Sequence, residues 1–194
     1  MLSDTVPQTV VDEFVGAAHG DFDTVKALLA AHPSLLAASA SWGETALGAA
    51  AQVGRPDIAE FLLEAGAALD ICTAAMLGRV EQVKARLRAD PASARATGAH
   101  GIPVMYHAAI RGNIGIAEIL LAHGAEVNAG AGGSPAIHGA VTFKQPEMVG
   151  WLLAHRADVN ALDYEGKTPL ARALARGFSA IADLLRRNGG QTPP

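Results

Sequence analysis

The sequence predicts an all-α chain built from helix-turn-helix repeats, and three observations support this prediction. Half of the 194 residues are apolar but only 5% are aromatic, a composition that favours closely packed helices over a β-sandwich. The segment LLAHGAEVN at Leu120 recurs as LLAHRADVN at Leu152, and LLEAGAALD begins at Leu62. A short Ala-rich segment that usually ends in Gly lies upstream of each copy. Together these observations indicate that one supersecondary unit is repeated along the chain.

The residue that ends each Ala-rich segment sets the register of the repeat. It is Gly20, Gly54, Gly78, Gly112 and Gly177 in five copies and Lys144 in the remaining one. Successive positions are 34, 24, 34, 32 and 33 residues apart, so most units share one period. Each unit should hold a first helix, a turn closed by Gly, and a second helix with apolar residues at helical spacing, as at Ile116, Ile119 and Leu120. Gly suits the turn because the left-handed conformation that closes a helix costs it little.

The motifs in this register resemble ankyrin repeats. GKTPLARALARG at Gly166 and GETALGAAAQVG at Gly43 are similar to the family signature Gly-x-Thr-Pro-Leu-His-x-Ala-Ala-x-x-Gly, and GAEVN and RADVN are similar to its closing Gly-Ala-Asp-Val-Asn. The resemblance covers residues 9–190. It implies an all-α solenoid, a curved stack of helix pairs in which short β-hairpin fingers and the first helices form a concave face. We expect one array over residues 1–190, with units near 9–42, 43–66, 67–100, 101–132, 133–165 and 166–190, followed by a disordered tail at 191–194.

The sequence departs from the family pattern at several positions. The signature His is present only as His138, and Pro33 and Pro91 should stop the second helices of units one and three. The interval of 24 residues between Gly54 and Gly78 leaves no room for a hairpin between units two and three. Asp70 is placed to cap the next helix directly. This shortened joint is either a tolerated deletion or a notch through which a ligand reaches the first helix of unit three.

Composition and charge exclude several classes of function. A net charge of -4 gives no broad attraction to nucleic acid or to anionic lipid. The N-terminal residues lack the basic and apolar regions of a signal peptide, and no apolar run is long enough to span a membrane. The single Cys72 cannot form an internal disulfide. We therefore expect a cytoplasmic protein.

The resemblance predicts which side chains meet a partner. In ankyrin repeats these lie at the finger tips and just before the Gly that ends each first helix. The expected partner-binding residues here are Trp42, Glu44, Val53, Met76, Leu77, Ile102, Ile110, Arg111, Phe143, Tyr164 and Arg176. Many are apolar or aromatic, and exposed side chains of these types mark contact surfaces. We favour a binding role for Trp42 and Phe143 in particular, whereas Met76 and Leu77 could equally be buried beside the missing finger.

The sequence offers little evidence of chemistry. Its histidines show no His-Glu-x-x-His spacing and its one cysteine no Cys-x-x-Cys spacing, so we predict no metal site. The glycines of NAGAGGSP at Asn128 are followed by no Lys, so this segment is not a phosphate loop. Cys72 is expected to be a buried apolar side chain and not a nucleophile. His123 and His155, which both end second helices, should contact free carbonyl groups.

The sequence thus predicts a non-enzymatic scaffold without a cofactor that binds another protein through its concave face. The alternative is a small-molecule binder or enzyme with a pocket at the shortened joint. Met76 and Leu77 would form the floor of that pocket, and Tyr106, His107 or His138 would supply its polar groups. A monomer is expected, and a homodimer that buries the apolar face is a further possibility.

Overall fold

The computed structural model describes residues 6–192 and is all-α over that range. The described residues form α1 (Gln8–Ala17), α2 (Phe22–Ala31), α3 (Ala46–Gln52), α4 (Pro56–Glu64), α5 (Ile71–Met76), α6 (Val80–Ala89), α7 (Val104–Ala109), α8 (Ile114–Ala122), α9 (Ala136–Thr142), α10 (Pro146–Ala154), α11 (Pro169–Ala175) and α12 (Ser179–Arg187). Short 3-10 turns cover Pro33–Ala37, Pro91–Arg95 and Ala99–Gly101. The α-helices follow one another as six pairs, which confirms the predicted helix-turn-helix repeat.

The helices form two layers. The first helices of the pairs contact one another in succession, from α1 through α3, α5, α7 and α9 to α11. Among the second helices, α6 contacts α8 and α10 contacts α12. Each first helix also packs on the second helix of its own pair. The core therefore lies between the two layers.

The core divides into two clusters near the shortened joint. One contains the buried apolar residues of units one and two, from Val11 to Leu62, together with Met76 and Ile110. The other runs through units three to six, from Ile71 to Leu185. Met76 and Ile110 belong by sequence to units three and four, so they join the later units to the earlier core.

The ends of the helices follow the local sequence. The second helices α2 and α6 end at Ala31 and Ala89, two residues before Pro33 and Pro91, which confirms the predicted stops. The turn after α3 closes with Gly54 at a φ of 66°, and the fifth turn closes with Lys144 at a φ of 55°. A side chain in this left-handed region costs free energy that Gly avoids. The fifth turn therefore keeps the shape of the repeat at some cost in stability.

The shortened joint consists of residues 65–70, between the end of α4 and the start of α5. Asp70 Oδ1 accepts a hydrogen bond of 2.8 Å from the amide of Thr73, and Oδ2 accepts one of 2.8 Å from its hydroxyl. The predicted cap is therefore confirmed, because a carboxylate at this position satisfies an amide that the first helical turn leaves free.

The β-hairpin fingers implied by the resemblance do not form strands in the described residues. Only two isolated bridges are found there, Ser39 with Thr45 and Thr97 with Pro103. We therefore call these segments loops, numbered by the units they join. Loop 1/2 is residues 38–45, loop 3/4 is 96–103, loop 4/5 is 123–135 and loop 5/6 is 155–168.

Gln191, near the C-terminal end of the described residues, is hydrogen-bonded to loop 5/6. Gln191 donates its amide to Asn160 Oδ1 at 2.7 Å, and its carbonyl accepts a hydrogen bond of 2.6 Å from Thr168. Pro193 and Pro194 of the expected tail, like residues 1–5, lie outside the described residues. No helix within residues 6–192 is both long and apolar enough to cross a membrane.

Candidate binding surface

The surface that the sequence singles out is formed by the C-terminal ends of the first helices. The residues before the closing position of each turn are His19, Val53, Leu77, Arg111, Phe143 and Arg176. We call this surface, together with the loops that precede the first helices, the first-helix face. It carries all eleven residues that the sequence predicted to bind a partner.

The centre of the first-helix face is filled by its own apolar side chains. Ile110 is fully buried, so the expectation that it is exposed is wrong, and of the two alternatives for Met76 the structure shows burial, with 1% exposure. Leu77, Tyr106 and Phe143 are half-buried and pack against the core cluster of units one and two. These five side chains form what we call the face cluster.

The face cluster bridges units that are distant in sequence. A methyl group built on Gly54 of unit two would lie 3.0 Å from Phe143 Cε1 of unit five and 3.5 Å from Ile110 Cδ1 of unit four. With no finger between units two and three, first helices of the later units reach the turn of unit two. The apolar residues thus bury one another, and Val53 beside them is half-buried.

Glu44 is also buried, with 2% exposure, contrary to the expectation for a finger tip. Its Oε2 accepts hydrogen bonds from Trp42 Nε1 at 2.8 Å and from His100 Nε2 at 3.3 Å. Its Oε1 accepts one from Gln52 Nε2 at 2.7 Å. Burying a carboxylate is tolerated here because donors surround it. Glu44 therefore does not face solvent, and its hydrogen bonds hold the side chains of Trp42, Gln52 and His100 in position.

The bond between Glu44 and His100 crosses the shortened joint. Glu44 lies in loop 1/2 and His100 in loop 3/4, and no loop stands between them. His100 has a φ of 55°, a left-handed conformation that is uncommon for a residue other than Gly. The main chain at His100 is therefore turned so that its side chain reaches the carboxylate.

His19 extends the same network from unit one. Its Nδ1 lies 3.1 Å from the carbonyl oxygen of Gly16, so this nitrogen carries the proton. The other nitrogen, Nε2, accepts a hydrogen bond of 2.8 Å from Gln52 Nε2 and lies 3.6 Å from Glu44 Oε2. Side chains of three units thus converge at this carboxylate.

The exposed members of the predicted set lie around the face cluster. Trp42 is 46% exposed and Tyr164 is 74% exposed. Arg111 and Arg176 are exposed, and Arg176 donates to the carbonyl of Thr142 at 3.3 Å. Ile102 is half-buried in loop 3/4. A second molecule can reach these side chains and, between them, the half-buried Val53, Leu77 and Phe143.

The tip of loop 5/6, which carries Tyr164, is held in place by hydrogen bonds to neighbouring carboxylates. Asp163 beside Tyr164 is buried and accepts hydrogen bonds from the amides of Glu165 and Lys167, each at 2.9 Å, and from Arg172 Nε at 2.5 Å. Burial alone would raise the pKa of this carboxyl, but these donors outweigh it and lower the pKa below its usual value. The side chains of Lys167 and Arg172 lower the pKa of Glu165 to about 2. Charged hydrogen bonds thus hold this loop tip in shape.

A cavity of about 220 Å³ lies at the shortened joint. Its polar lining includes Glu44, Asp70, Cys72, Thr73 and His107. The sequence left a pocket at this joint as the alternative, and of the residues expected to line it only His107 lines this cavity. Met76, Leu77, Tyr106 and His138 do not line it, because the first three belong to the face cluster and His138 hydrogen-bonds the carbonyl of Ala161 in loop 5/6 at 2.8 Å.

Comparison with known sequences identifies the repeat. A family model for ankyrin repeats in three copies matches residues 71–163, and a single ankyrin repeat model matches residues 42–74. The chain belongs to the ankyrin repeat family. Repeats of this family are generally protein–protein interaction modules and are typically non-catalytic.

The ankyrin repeats of this chain are similar to parts of larger proteins. It is 30% identical over 185 residues to the E3 ubiquitin-protein ligase KEG of Arabidopsis thaliana, an alignment covering 88% of this chain and 10% of that protein. It is 33% identical over 92 residues to the nuclear factor NF-kappa-B p105 subunit of Gallus gallus, covering 46% and 9%. It is 39% identical over 80 residues to the potassium channel AKT1 of Arabidopsis thaliana, covering 41% and 9%. The chain thus spans about a tenth of the length of these relatives.

The ankyrin array shows few groups arranged for chemistry. Within residues 6–192 no three or more His, Cys, Asp or Glu side chains are grouped so as to hold a metal ion. Burial raises the pKa of the Cys72 thiol far above its usual value, which keeps it protonated and unreactive. His123 and His155 each place Nδ1 2.8 Å from the carbonyl oxygen four residues earlier, which confirms their predicted contacts with carbonyl groups at the ends of second helices.

Two groups of contacts at this surface could not be predicted from the sequence. The bond between His100 and Glu44 joins residues 56 positions apart, and no local motif marks it. The Gly-rich segment of loop 4/5 pairs with loop 5/6 through the main chain, with Gly132 donating to Leu162 at 3.0 Å and Tyr164 donating to Gly133 at 3.1 Å. The glycines are the one sequence signal of this contact, because residues without side chains allow two main chains to approach closely.

Proposed function

We propose that this ankyrin array binds another protein through the first-helix face and the loop tips beside it, without catalysing a reaction. The observation that carries this proposal is the exposure of Trp42 and Tyr164, 46% and 74%, on loop tips at two places along the face. Large aromatic side chains on a surface otherwise poor in them are typical anchors of protein interfaces. Contiguous exposed apolar area also tends to mark a contact site.

The predicted residues divide into two roles under this proposal. Trp42, Ile102, Arg111, Tyr164 and Arg176 contact the partner, with the half-buried Val53, Leu77 and Phe143 at the floor of the contact. Glu44, Met76 and Ile110 are buried and hold the contact residues in place. The rigid support lowers the entropy that the surface loses on binding.

The charge of the surface favours an acidic partner. Arg111, Lys144 and Arg176 are exposed at the turns of units four to six. Three carboxylates on the neighbouring loops are already engaged by donors: Glu44 and Asp163 are buried, and the exposed Glu165 accepts hydrogen bonds from Lys167 and Arg172. A partner segment that carries acidic residues beside apolar ones complements this arrangement.

The filled face favours a monomer. The apolar side chains that a homodimer would bury are packed on one another in the face cluster. We expect sedimentation to give one species of about the mass of a single chain across a hundredfold range of concentration. A mass that rises with concentration would contradict this part of the proposal.

The decisive experiment is affinity capture from a lysate of the source organism with quantitative mass spectrometry. A protein captured by the wild type should be reduced at least tenfold with the Trp42→Ala, Tyr164→Ala double variant. The matched control is the Val80→Ala, His155→Ala double variant, which removes exposed side chains at the start of α6 and directly after α10. The control should capture the same protein as the wild type.

Folding must be verified for each variant by circular dichroism. If the double variant at Trp42 and Tyr164 is folded and captures every protein that the wild type captures, the first-helix face is not the binding surface. If the control loses capture instead, binding lies on the second-helix layer.

A further inference from the structure

The cavity at the shortened joint has features that protein binding at the first-helix face does not require. It is enclosed by loop 1/2 and the start of α3 on one side and by Gly98 and Ala99 of loop 3/4 on the other. Asp70, Cys72 and Thr73, at the start of α5, form another part of the wall. In a repeat of full length, a loop between units two and three would occupy this place.

His107 presents a free acceptor in this cavity. The residue is 1% exposed, and Nδ1 lies 3.1 Å from the carbonyl oxygen of Pro103. Because a carbonyl only accepts, Nδ1 carries the proton, and the neutral ring has a lone pair at Nε2. Burial lowers the pKa of His107, so the ring is neutral near pH 7. Within residues 6–192, Nε2 has no hydrogen-bond partner.

The ring of His107 packs closely against Gly98. A methyl group at Gly98 would lie 3.2 Å from His107 Nε2 and 3.0 Å from its Cε1, and 3.5 Å from Cys72 Cβ. Gly98 has a φ of -86°, a value that most residues adopt. The glycine is therefore not required by the main chain here, and its absent side chain leaves room for the ring of His107.

The charge around the cavity is negative. Glu44 and Asp70 both contribute to the lining, and none of the described residues in that lining is Lys or Arg. Acceptors thus outnumber charged donors, a setting that disfavours an anion. A metal ion is disfavoured as well, since the carboxylates, thiol and imidazole in the described residues are not grouped for coordination.

We propose that the cavity binds a small organic cation with a primary ammonium group, which donates a hydrogen bond to Nε2 of His107 in the field of Glu44 and Asp70. Its volume of about 220 Å³ accommodates a compound of several heavy atoms and is below the range of about 300–1,000 Å³ usual for drug-sized ligands. The cavity shares Glu44 with the support of Trp42, but none of the residues proposed to contact the protein partner lines it. Failure of either proposal leaves the other standing.

The first test uses n-butylammonium as the probe, with n-butanol and butyrate as controls of similar shape. Binding is followed by calorimetry and by the 15N resonances of the histidine side chains at pH 7.5. We expect n-butylammonium to shift the Nε2 resonance of His107 saturably and to bind at least tenfold more tightly than n-butanol. Equal responses to n-butylammonium and n-butanol, or no shift at His107, would overturn the proposal.

Three variants locate the site. Gly98→Ala places a methyl group against Nε2 and displaces the ring, Asp70→Asn removes a charge while keeping a residue that caps helices, and His107→Leu removes the acceptor. Each should weaken binding of n-butylammonium at least tenfold. Gly98→Ala and Asp70→Asn decide the matter if His107→Leu does not fold, and wild-type affinity in both would overturn the proposal.

Matched controls separate local from general effects. A methyl group at Gly115 meets no atom within 4 Å, so Gly115→Ala is the control for Gly98→Ala. His123 is exposed at the end of α8, and His123→Leu is the control for His107→Leu. Both controls should bind n-butylammonium like the wild type. Equal losses in controls and test variants would assign the binding to a site other than this cavity.

Discussion

Loops 4/5 and 5/6 meet through their main chains, whereas loops 1/2 and 3/4, on either side of the shortened joint, meet through side chains. In the first case Gly132 and Tyr164 donate amide hydrogen bonds to the neighbouring loop. In the second, Glu44 accepts hydrogen bonds from Trp42 in its own loop, from Gln52 at the end of α3 and from His100 across the gap. Where a loop is missing, buried side chains replace contacts that the main chain supplies elsewhere.

One sequence position shows the same contrast. Asn128 and Asn160 end the closing motifs of units four and five. Each side chain accepts a hydrogen bond from the main chain of the next unit: Asn128 Oδ1 from the amide of Asp158 at 2.8 Å, and Asn160 Oδ1 from the amide of Gln191 at 2.7 Å. Asp70 occupies the equivalent position in unit two, yet it caps α5. The next first helix follows Asp70 directly, so its free amides are the nearest donors. The same position of the repeat therefore binds the next unit in units four and five but caps a helix in unit two.

The largest expected effect tests whether the face cluster joins the two core clusters. Ile110→Ala should lower the free energy of unfolding by about 3 kcal/mol, because it removes a fully buried side chain from the cluster of units one and two. Trp42 and Trp151 report on different regions, and denaturation of single-Trp variants measures each. In the Ile110→Ala background the Trp42 transition should move to lower denaturant than the Trp151 transition.

Ile181→Ala is the matched control in the other core cluster, where the side chain is 2% exposed. It should shift the Trp151 transition at least as much as the Trp42 transition. If Ile110→Ala shifts both probes equally, the array unfolds as one cooperative unit and the division into two regions has no energetic meaning.

A smaller effect is expected at the network that spans the joint. Glu44→Ala should cost about 2 kcal/mol, because it leaves Trp42 Nε1 and Gln52 Nε2 without their acceptor. Glu118→Ala, at an exposed position of α8, should change stability little. Urea denaturation followed by circular dichroism measures both variants. Equal stability of Glu44→Ala and wild type would mean that water replaces the carboxylate without loss.

The fifth turn offers a stabilising change. Lys144→Gly should raise the free energy of unfolding by about 1 kcal/mol, because Lys144 has a φ of 55° and Gly adopts this conformation freely. The gain is reduced by loss of the contact between Lys144 Nζ and the Phe178 ring, whose centroid is 5.6 Å away. Lys84→Gly, within α6, should instead lower stability by about 1 kcal/mol. A destabilised Lys144→Gly variant would show that the cation contact outweighs the main-chain cost.

The smallest effect concerns pH. Burial lowers the pKa of His107 and of His138 below the usual 6.5, so the unfolded chain binds more protons than the folded chain just below pH 6.5. Stability should therefore be full above pH 6.5 and decrease as the pH falls through 6.5 toward the folded pKa values. Denaturation midpoints at pH 7.5 and 5.5 measure the change. The His107→Gln, His138→Gln variant should show a smaller difference, and an unchanged difference would assign the dependence to other groups.

Much of the fold could be predicted because repetition reveals it. Recurrence of the closing motif and of the glycines predicted the six helix pairs, and Pro33, Pro91 and Asp70 marked helix ends through rules that act within a few residues. Burial on the first-helix face was predicted less well. Exposure was expected for Ile110 and Glu44, both of which are buried.

The sequence by itself determined the helices, their pairing and the length of each joint, because these depend on spacing and on contacts between near neighbours. Only the tertiary structure decided that Phe143 reaches Gly54, that His100 reaches Glu44, and that His107 keeps a free nitrogen in a cavity. These contacts depend on the curvature of the stack of six units, in which one joint is shortened. That geometry is the sum of many small packing adjustments along the array, and no single motif encodes it.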